Sequence, residues 1–184
     1  MLSRSAPTWF VALSLVAALS GGCAYSRPEA VEVPKDAPAA PPFELPDQQR
    51  AAVSLAQLRA TGPVVLVFYR GDWCPYCRAQ LDRIQARLGE LQATDARVVA
   101  ITVDTPDQSL ALAKKRGYQF PILQDEAGRI GSQYGVWDKE AELHLPATFI
   151  VDREGKIRLR YVGEGKRDRV TVDQVLAVLK DVRT

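Results

Sequence analysis

The sequence predicts one α/β domain built on a central mixed sheet with helices on both faces. Three observations carry this. Val64-Val65-Leu66-Val67-Phe68-Tyr69 is an unbroken apolar run of strand length, as expected for a central strand covered on both sides. The segment after it repeats apolar residues at helical spacing, with Leu81, Ile84, Leu88 and Leu91 forming one stripe. The order that follows alternates strand and helix and then ends in a hairpin and a helix, which requires both parallel and antiparallel pairing.

Taken along the chain, Ser54 to Leu58 reads as a short helical turn before Thr61-Gly62-Pro63. The first long helix starts at Cys77 and continues through Leu91, with Arg78, Asp82, Arg83 and Arg87 on its solvated face. Arg97 to Val103 is the next strand. Pro106 and Gly117 frame a helix over Asp107 to Arg116, whose Lys114, Lys115 and Arg116 suit the negative C-terminal end. Pro121 to Leu123 is a short strand or connector, and Glu126 to Tyr134 a shorter helix closed by Gly135. A strand runs from Leu145 to Val151 through Pro146. It turns at residues 152–156 and returns over Ile157 to Val162. Thr171-Val172-Asp173-Gln174 has the form of a capping box and opens the last helix, with Val175, Leu176, Val178 and Leu179 as its apolar side.

The first 42 residues read differently. Arg4 and the apolar stretch Trp9 to Leu19 have the form of a signal peptide over residues 1–22, too short for a confident membrane span. Gly21-Gly22-Cys23 resembles a bacterial lipobox, which implies cleavage before Cys23 and lipid on its thiol. Leu19 stands four residues before the cysteine, where that pattern has its leucine three before. An ordinary secretory signal therefore stays open. Ala24 after the cysteine implies the outer membrane, so the expected location is the periplasmic face of a bacterial membrane. Residues 23–42, with Pro28, Pro34, Pro38, Pro41 and Pro42, read as an anchor cysteine and an extended tether, and 43–184 as the domain.

Composition narrows the chemistry. Apolar residues make up 47% of the 184 residues, enough for a core, and the net charge of +2 points to no nucleic-acid partner. Two of the three cysteines stand in Trp73-Cys74-Pro75-Tyr76-Cys77, between the apolar strand and the helix. A thiolate at a helix N-terminus meets unpaired N–H groups and the positive end of the dipole, which lowers its pKa. A second thiol one turn on can close a disulfide, so the pair can cycle between dithiol and disulfide. A structural disulfide closing so small a loop restrains little. A structural zinc site needs four ligands, and only His144 and Cys23 remain. No metal is expected. No nucleotide or flavin fingerprint appears, so no cofactor is expected, and the reducing equivalents must come from another thiol protein or a small thiol.

Together with Leu145-Pro146-Ala147-Thr148-Phe149, the cysteine motif resembles the thioredoxin superfamily. More narrowly, Phe68-Tyr69-Arg70-Gly71-Asp72-Trp73, Asp104, Phe120 to Asp125, Tyr134-Gly135-Val136 and Phe149 to Asp152 with Gly155 resemble its AhpC/TSA (peroxiredoxin-like, redoxin) branch. The resemblance implies a thioredoxin-like fold and a thiol-dependent oxidoreductase. Typical peroxiredoxins carry Pro-x-x-x-Thr-x-x-Cys at this loop. Aligned on Cys77, the proline falls on Arg70 and the threonine on Cys74, so the peroxidatic cysteine would be Cys77. Thioredoxin-like reductases instead attack through the first cysteine, here Cys74, and resolve with the second.

The resemblance also implies that Pro146 is cis and lies beside the cysteines. Trp73, Pro75, Leu145 and Pro146 would then form the surface that receives a substrate. Arg70 and Asp72 are candidates for tuning the thiolate. On these grounds the expected function is an exported reductase of protein disulfides attacking through Cys74. The alternative is a thioredoxin-dependent peroxidase that reduces hydroperoxides and forms a Cys74–Cys77 disulfide. A further alternative is a non-catalytic binding or metal-carrier module.

Overall fold

The computed structural model describes residue 34, residues 36–165 and residues 167–182. The expected signal peptide and Cys23 lie outside the described residues. The expected strand is β3 (Val64–Phe68), and every one of its residues is buried. It occupies the middle of a five-stranded sheet of order β5-β4-β3-β8-β9. Its neighbours are β4 (Arg97–Thr102), parallel, and β8 (Ala147–Val151), antiparallel. β5 (Ile122–Gln124) adds in parallel to β4, and β9 (Ile157–Val162) closes the other edge as the return arm of a hairpin with β8. The sheet is mixed, as expected.

Side chains alternate across the pleat of β3 and divide the core in two. Val65, Val67 and Tyr69 face the layer made by α2 (Pro75–Ala86), α3 (Leu88–Gln92), α4 (Pro106–Arg116) and α6 (Val172–Val182). Val64, Leu66 and Phe68 face α1 (Leu55–Arg59), α5 (Arg129–Gln133) and the segment from Phe43 to Leu45. The fold is therefore α/β and thioredoxin-like, with helices on both faces of the sheet.

Several local expectations hold for the stated reasons. Ser54 caps α1, and Thr105 caps α4 through a box with Gln108. Gly117 ends α4 with φ of 71°, a conformation that favours glycine. Thr171 and Gln174 make the bonds of the box before α6. Others differ. The helix expected from Cys77 through Leu91 breaks at Arg87, where φ is −119°. Leu81, Ile84, Leu88 and Leu91 are all buried, but they belong to two helices. The guanidinium of Arg87 bonds Glu90 and Asp173, tying the break to α6. The helix expected from Glu126 to Tyr134 is only α5, because Gly128 caps it in the left-handed region with φ of 62°.

Two hairpin-like pairs were not legible in advance. One joins β1 (Glu44–Pro46) to β2 (Ala52–Ser54), the other β6 (Trp137–Asp138) to β7 (Leu143–His144). The end of the expected tether also makes contacts with the domain. Pro38 O accepts from Ile157 N, Ala40 N donates to Gly155 O, and Pro41 O accepts from Tyr134 Oη.

His144 is fully buried against the rings of Phe68 and Trp137, on the sheet face opposite the cysteines. Its Nε2 lies 3.0 Å from Asp125 Oδ2. Asp125 also accepts from Ile130 N and Gly131 N, fixing the start of α5. Burial would raise the Asp125 pKa, but the His144 bond and the two N–H groups more than offset it and hold the carboxyl below its ordinary value. A depressed folded pKa contributes stability that is present above the unfolded value and lost as pH falls through the folded one. Asp125→Asn should therefore lower unfolding free energy by about 1.5–3 kcal/mol at neutral pH. The gap from wild type should shrink below about pH 4. Urea titrations at several pH values check this, and a gap constant from pH 7 to acid would contradict it.

Candidate active site

The C-terminal end of β3 delivers the chain to the cysteines. Tyr69 N bonds Ile101 O and extends the pairing by one residue before the loop departs. The loop is then fastened from below by Asp104, which follows β4. Asp104 Oδ2 accepts from Asp72 N at 2.8 Å and from Tyr69 Oη at 3.3 Å. Burial, and secondarily the charge of Asp72, raises the Asp104 pKa. Gly71 permits the close approach. Its φ is 153°, and a Cβ there would lie 2.6 Å from Trp73 Nε1 and 3.0 Å from Asp104 Oδ1.

The loop places Cys74 at the N-cap of α2, with Pro75 at the first helical position. Pro75 suits that position because its missing N–H would have no helical partner there. Cys74 Sγ accepts from Cys77 N at 3.4 Å and from Cys77 Sγ at 2.6 Å. Both cysteines are free thiols, 2% and 0% exposed. Arg169, in the segment leading into α6, donates from Nη2 to Cys77 Sγ at 3.6 Å. Its Nη1 donates to Asp168 O and Gly165 O, which hold the guanidinium in place. Burial raises the Cys77 pKa, and the bond to Cys74 adds to the rise. The N–H of Arg70 and the charge of Arg169 act in the opposite direction.

The structure brings only some of the expected residues to this dithiol. Arg70 reaches Cys77 through its backbone N–H, while its guanidinium lies 5.1 Å over the Trp73 ring. The carbonyl of Asp72 accepts from Arg78 and its N–H serves Asp104, so Asp72 acts on the loop and not on a sulfur. Trp73 is 54% exposed and Tyr76 37%, and they flank the site as the large exposed apolar side chains of the described residues. Pro146 precedes Ala147, the register partner of Phe68, so it sits at the end of the sheet from which the cysteine loop departs.

The expectation of a cis bond at Pro146 is corrected. No peptide bond among the described residues is cis, and Leu145–Pro146 is trans. The trans bond suits a proline at the first step of a strand. Leu145 N bonds Val136 O, and Pro146 O accepts from Gly163 N, so the ladder needs nothing from the missing proline N–H. Leu145 packs with the core on the opposite sheet face from the cysteines.

With this geometry in place, comparison with known proteins is decisive for the family. The AhpC/TSA family model matches residues 37–160. This chain belongs to the AhpC/TSA family. It is similar to alkyl hydroperoxide reductase E of Mycobacterium tuberculosis, 33% identical over 144 residues that cover 76% of this chain and 94% of that protein. It is also similar to the chloroplastic peroxiredoxin Q of Sedum lineare, 30% identical over 144 residues, 78% of this chain and 76% of that one. Among solved structures, peroxidoxin BcpB from Mycobacterium tuberculosis superposes with a TM-score of 0.74 at 28% identity, over 80% of this chain and 97% of that one. The reduced 2-Cys peroxiredoxin of Plasmodium vivax shares the fold, with a TM-score of 0.71 at 20% identity and 80% and 95% coverage. The AhpC/TSA protein described here is thus a thiol-based oxidoreductase.

The clamp under the loop is testable. Gly71→Ala should destabilise the protein by about 1–3 kcal/mol. It should also slow closure of the Cys74–Cys77 disulfide, because the loop must lift away from Asp104. Urea unfolding and thiol titration after oxidant addition measure both. Wild-type values for both would show that the clamp does not position the cysteines.

Proposed function

We propose that this protein is a thiol peroxidase: Cys77 attacks a hydroperoxide and Cys74 resolves the product. The burial of both sulfurs is the observation that carries this reading. Reduction of a protein disulfide needs an exposed thiolate that can meet a bulky partner, a demand that a small hydroperoxide does not make. The names of the relatives, a hydroperoxide reductase and peroxiredoxins, support the same choice. The expected disulfide reductase also leaned on a cis Pro146, which is absent. His144 is committed to Asp125 across the sheet and supplies no third ligand at the cysteines.

The sulfur contact suggests the steps. Cys77 gives up its proton to a solvent base, Cys74 keeps its own, and Arg169 and the Arg70 N–H stabilise the charge left on Cys77. The Cys77 thiolate attacks the terminal peroxide oxygen. The O–O bond breaks, Cys77 becomes a sulfenic acid, and the alkoxide takes the proton from Cys74. The Cys74 thiolate then attacks the Cys77 sulfur and expels hydroxide, forming the disulfide. Two electrons from an external dithiol, or from two small thiols, restore the pair. The exposed Trp73 and Tyr76 offer that reductant a surface.

A direct comparison of substrates tests the proposal. Reduced protein should consume one equivalent of hydroperoxide and lose two thiols, with mass spectrometry showing the Cys74–Cys77 disulfide. Stoichiometric reduction of insulin disulfides should be slower by at least about tenfold, since burial hinders the bulky substrate. Rapid insulin reduction with no peroxide consumption would restore the disulfide reductase.

A further inference from the structure

We infer that the contact between Arg167 and Tyr76 is a latch that limits the size of the reagent admitted to Cys77. The inference rests on the proposed chemistry at that sulfur and names a residue pair that restricts access to it. Tyr76 and Cys77 are neighbours in the first turn of α2. Each is held by an arginine from the stretch that leads into α6. Arg167 Nε donates to Tyr76 Oη at 2.9 Å, and the Arg167 guanidinium lies 5.3 Å over the Tyr76 ring. Arg169 Nη2 donates to Cys77 Sγ at 3.6 Å.

The two attachments differ in what supports them. Arg169 is half-buried, its Nη1 donates to Asp168 O and Gly165 O, and Val170 after it belongs to the core. Asp168 is tied through its carboxylate to Tyr161 Oη and Glu164 N. Arg167 is exposed, and the Tyr76 hydroxyl takes its one side-chain hydrogen bond among the described residues. Along α2, exposure falls from 37% at Tyr76 to 0% at Cys77. The Arg167–Tyr76 pair is therefore the exposed one of the two contacts, next to a sulfur with no exposed surface.

Size selection follows from this arrangement. A buried sulfur reacts only when the side chains around it part. A small reagent needs only the Arg169 side chain to shift. A bulky one needs the stretch from Arg167 to Arg169 to move off α2, and that motion breaks the Tyr76 contact. An exposed cation–π pair biases such an equilibrium about two- to fivefold toward the closed form. Arg167 and Tyr76 are positioning residues on this account, because they act through the placement of Arg169 and touch no reacting atom.

The test compares N-ethylmaleimide with the bulkier N-pyrenylmaleimide on full-length reduced protein. Cys74→Ser serves as background, so that the adduct at this site forms on Cys77, and peptide mass spectrometry reads Cys77 separately from Cys23. Both maleimides need the same thiolate, so the ratio of their rates cancels any change in its pKa. Arg167→Gln should speed the pyrenyl reagent about two- to fivefold and leave the N-ethylmaleimide rate unchanged. Tyr76→Leu should do the same, and the double variant should gain no more than either single one, because both remove one contact. Both side chains are exposed, so the variants keep the fold. An unchanged ratio in Arg167→Gln, or single effects that add in the double variant, overturn the inference. The maleimides involve no peroxide, so a protein that shows this pattern but consumes no hydroperoxide keeps the latch and loses the peroxidase reading.

Discussion

The contact between the two cysteine sulfurs is the interaction on which the site depends, and most of the fold serves to hold it. Burying β3 on both faces fixes where the loop leaves the sheet. Asp104 then clamps the loop through Asp72 N and Tyr69 Oη. α2 carries Cys77 back onto its own N-cap, Cys74. An exposed dithiol could rest on a mobile loop. A buried one needs this scaffold, because each polar group drawn from water must find a partner. The sulfurs find theirs in each other, in the Cys77 N–H and in Arg169.

The same arrangement divides labour between the two cysteines. Burial opposes a charge on Cys77, and the bond to Cys74 adds to that opposition. The Arg169 guanidinium and the Arg70 N–H act the other way and favour a charge there.

Much of this was legible in the sequence, and the parts that were not have physical causes. Val64 to Tyr69 reads as a buried strand because a fully apolar run of that length suits little else. The cysteines are legible because their spacing fits one turn of a helix at a strand end. Arg169 was missed: 92 residues separate it from Cys77, and nothing local marks an arginine that will turn inward. The break at Arg87 was missed because the apolar stripe runs through it in register, and only the bonds to Glu90 and Asp173 reveal it. Pro146 was read as cis by pairing two motifs, yet the hydrogen bonds of its neighbours are complete with a trans bond. Arg70 was read as a candidate for tuning the thiolate; its backbone N–H acts on Cys77, while its side chain lies over Trp73.

The order of events at the two sulfurs is the central claim. Trapping the first oxidised species with dimedone in Cys74→Ser, followed by peptide mass spectrometry, addresses it most directly. The account predicts a sulfenic acid on Cys77 formed within the peroxide reaction itself, with no disulfide to follow. A Cys74→Ser protein that is inert to peroxide, alongside a Cys77→Ser protein that forms a sulfenic acid on Cys74, would contradict it.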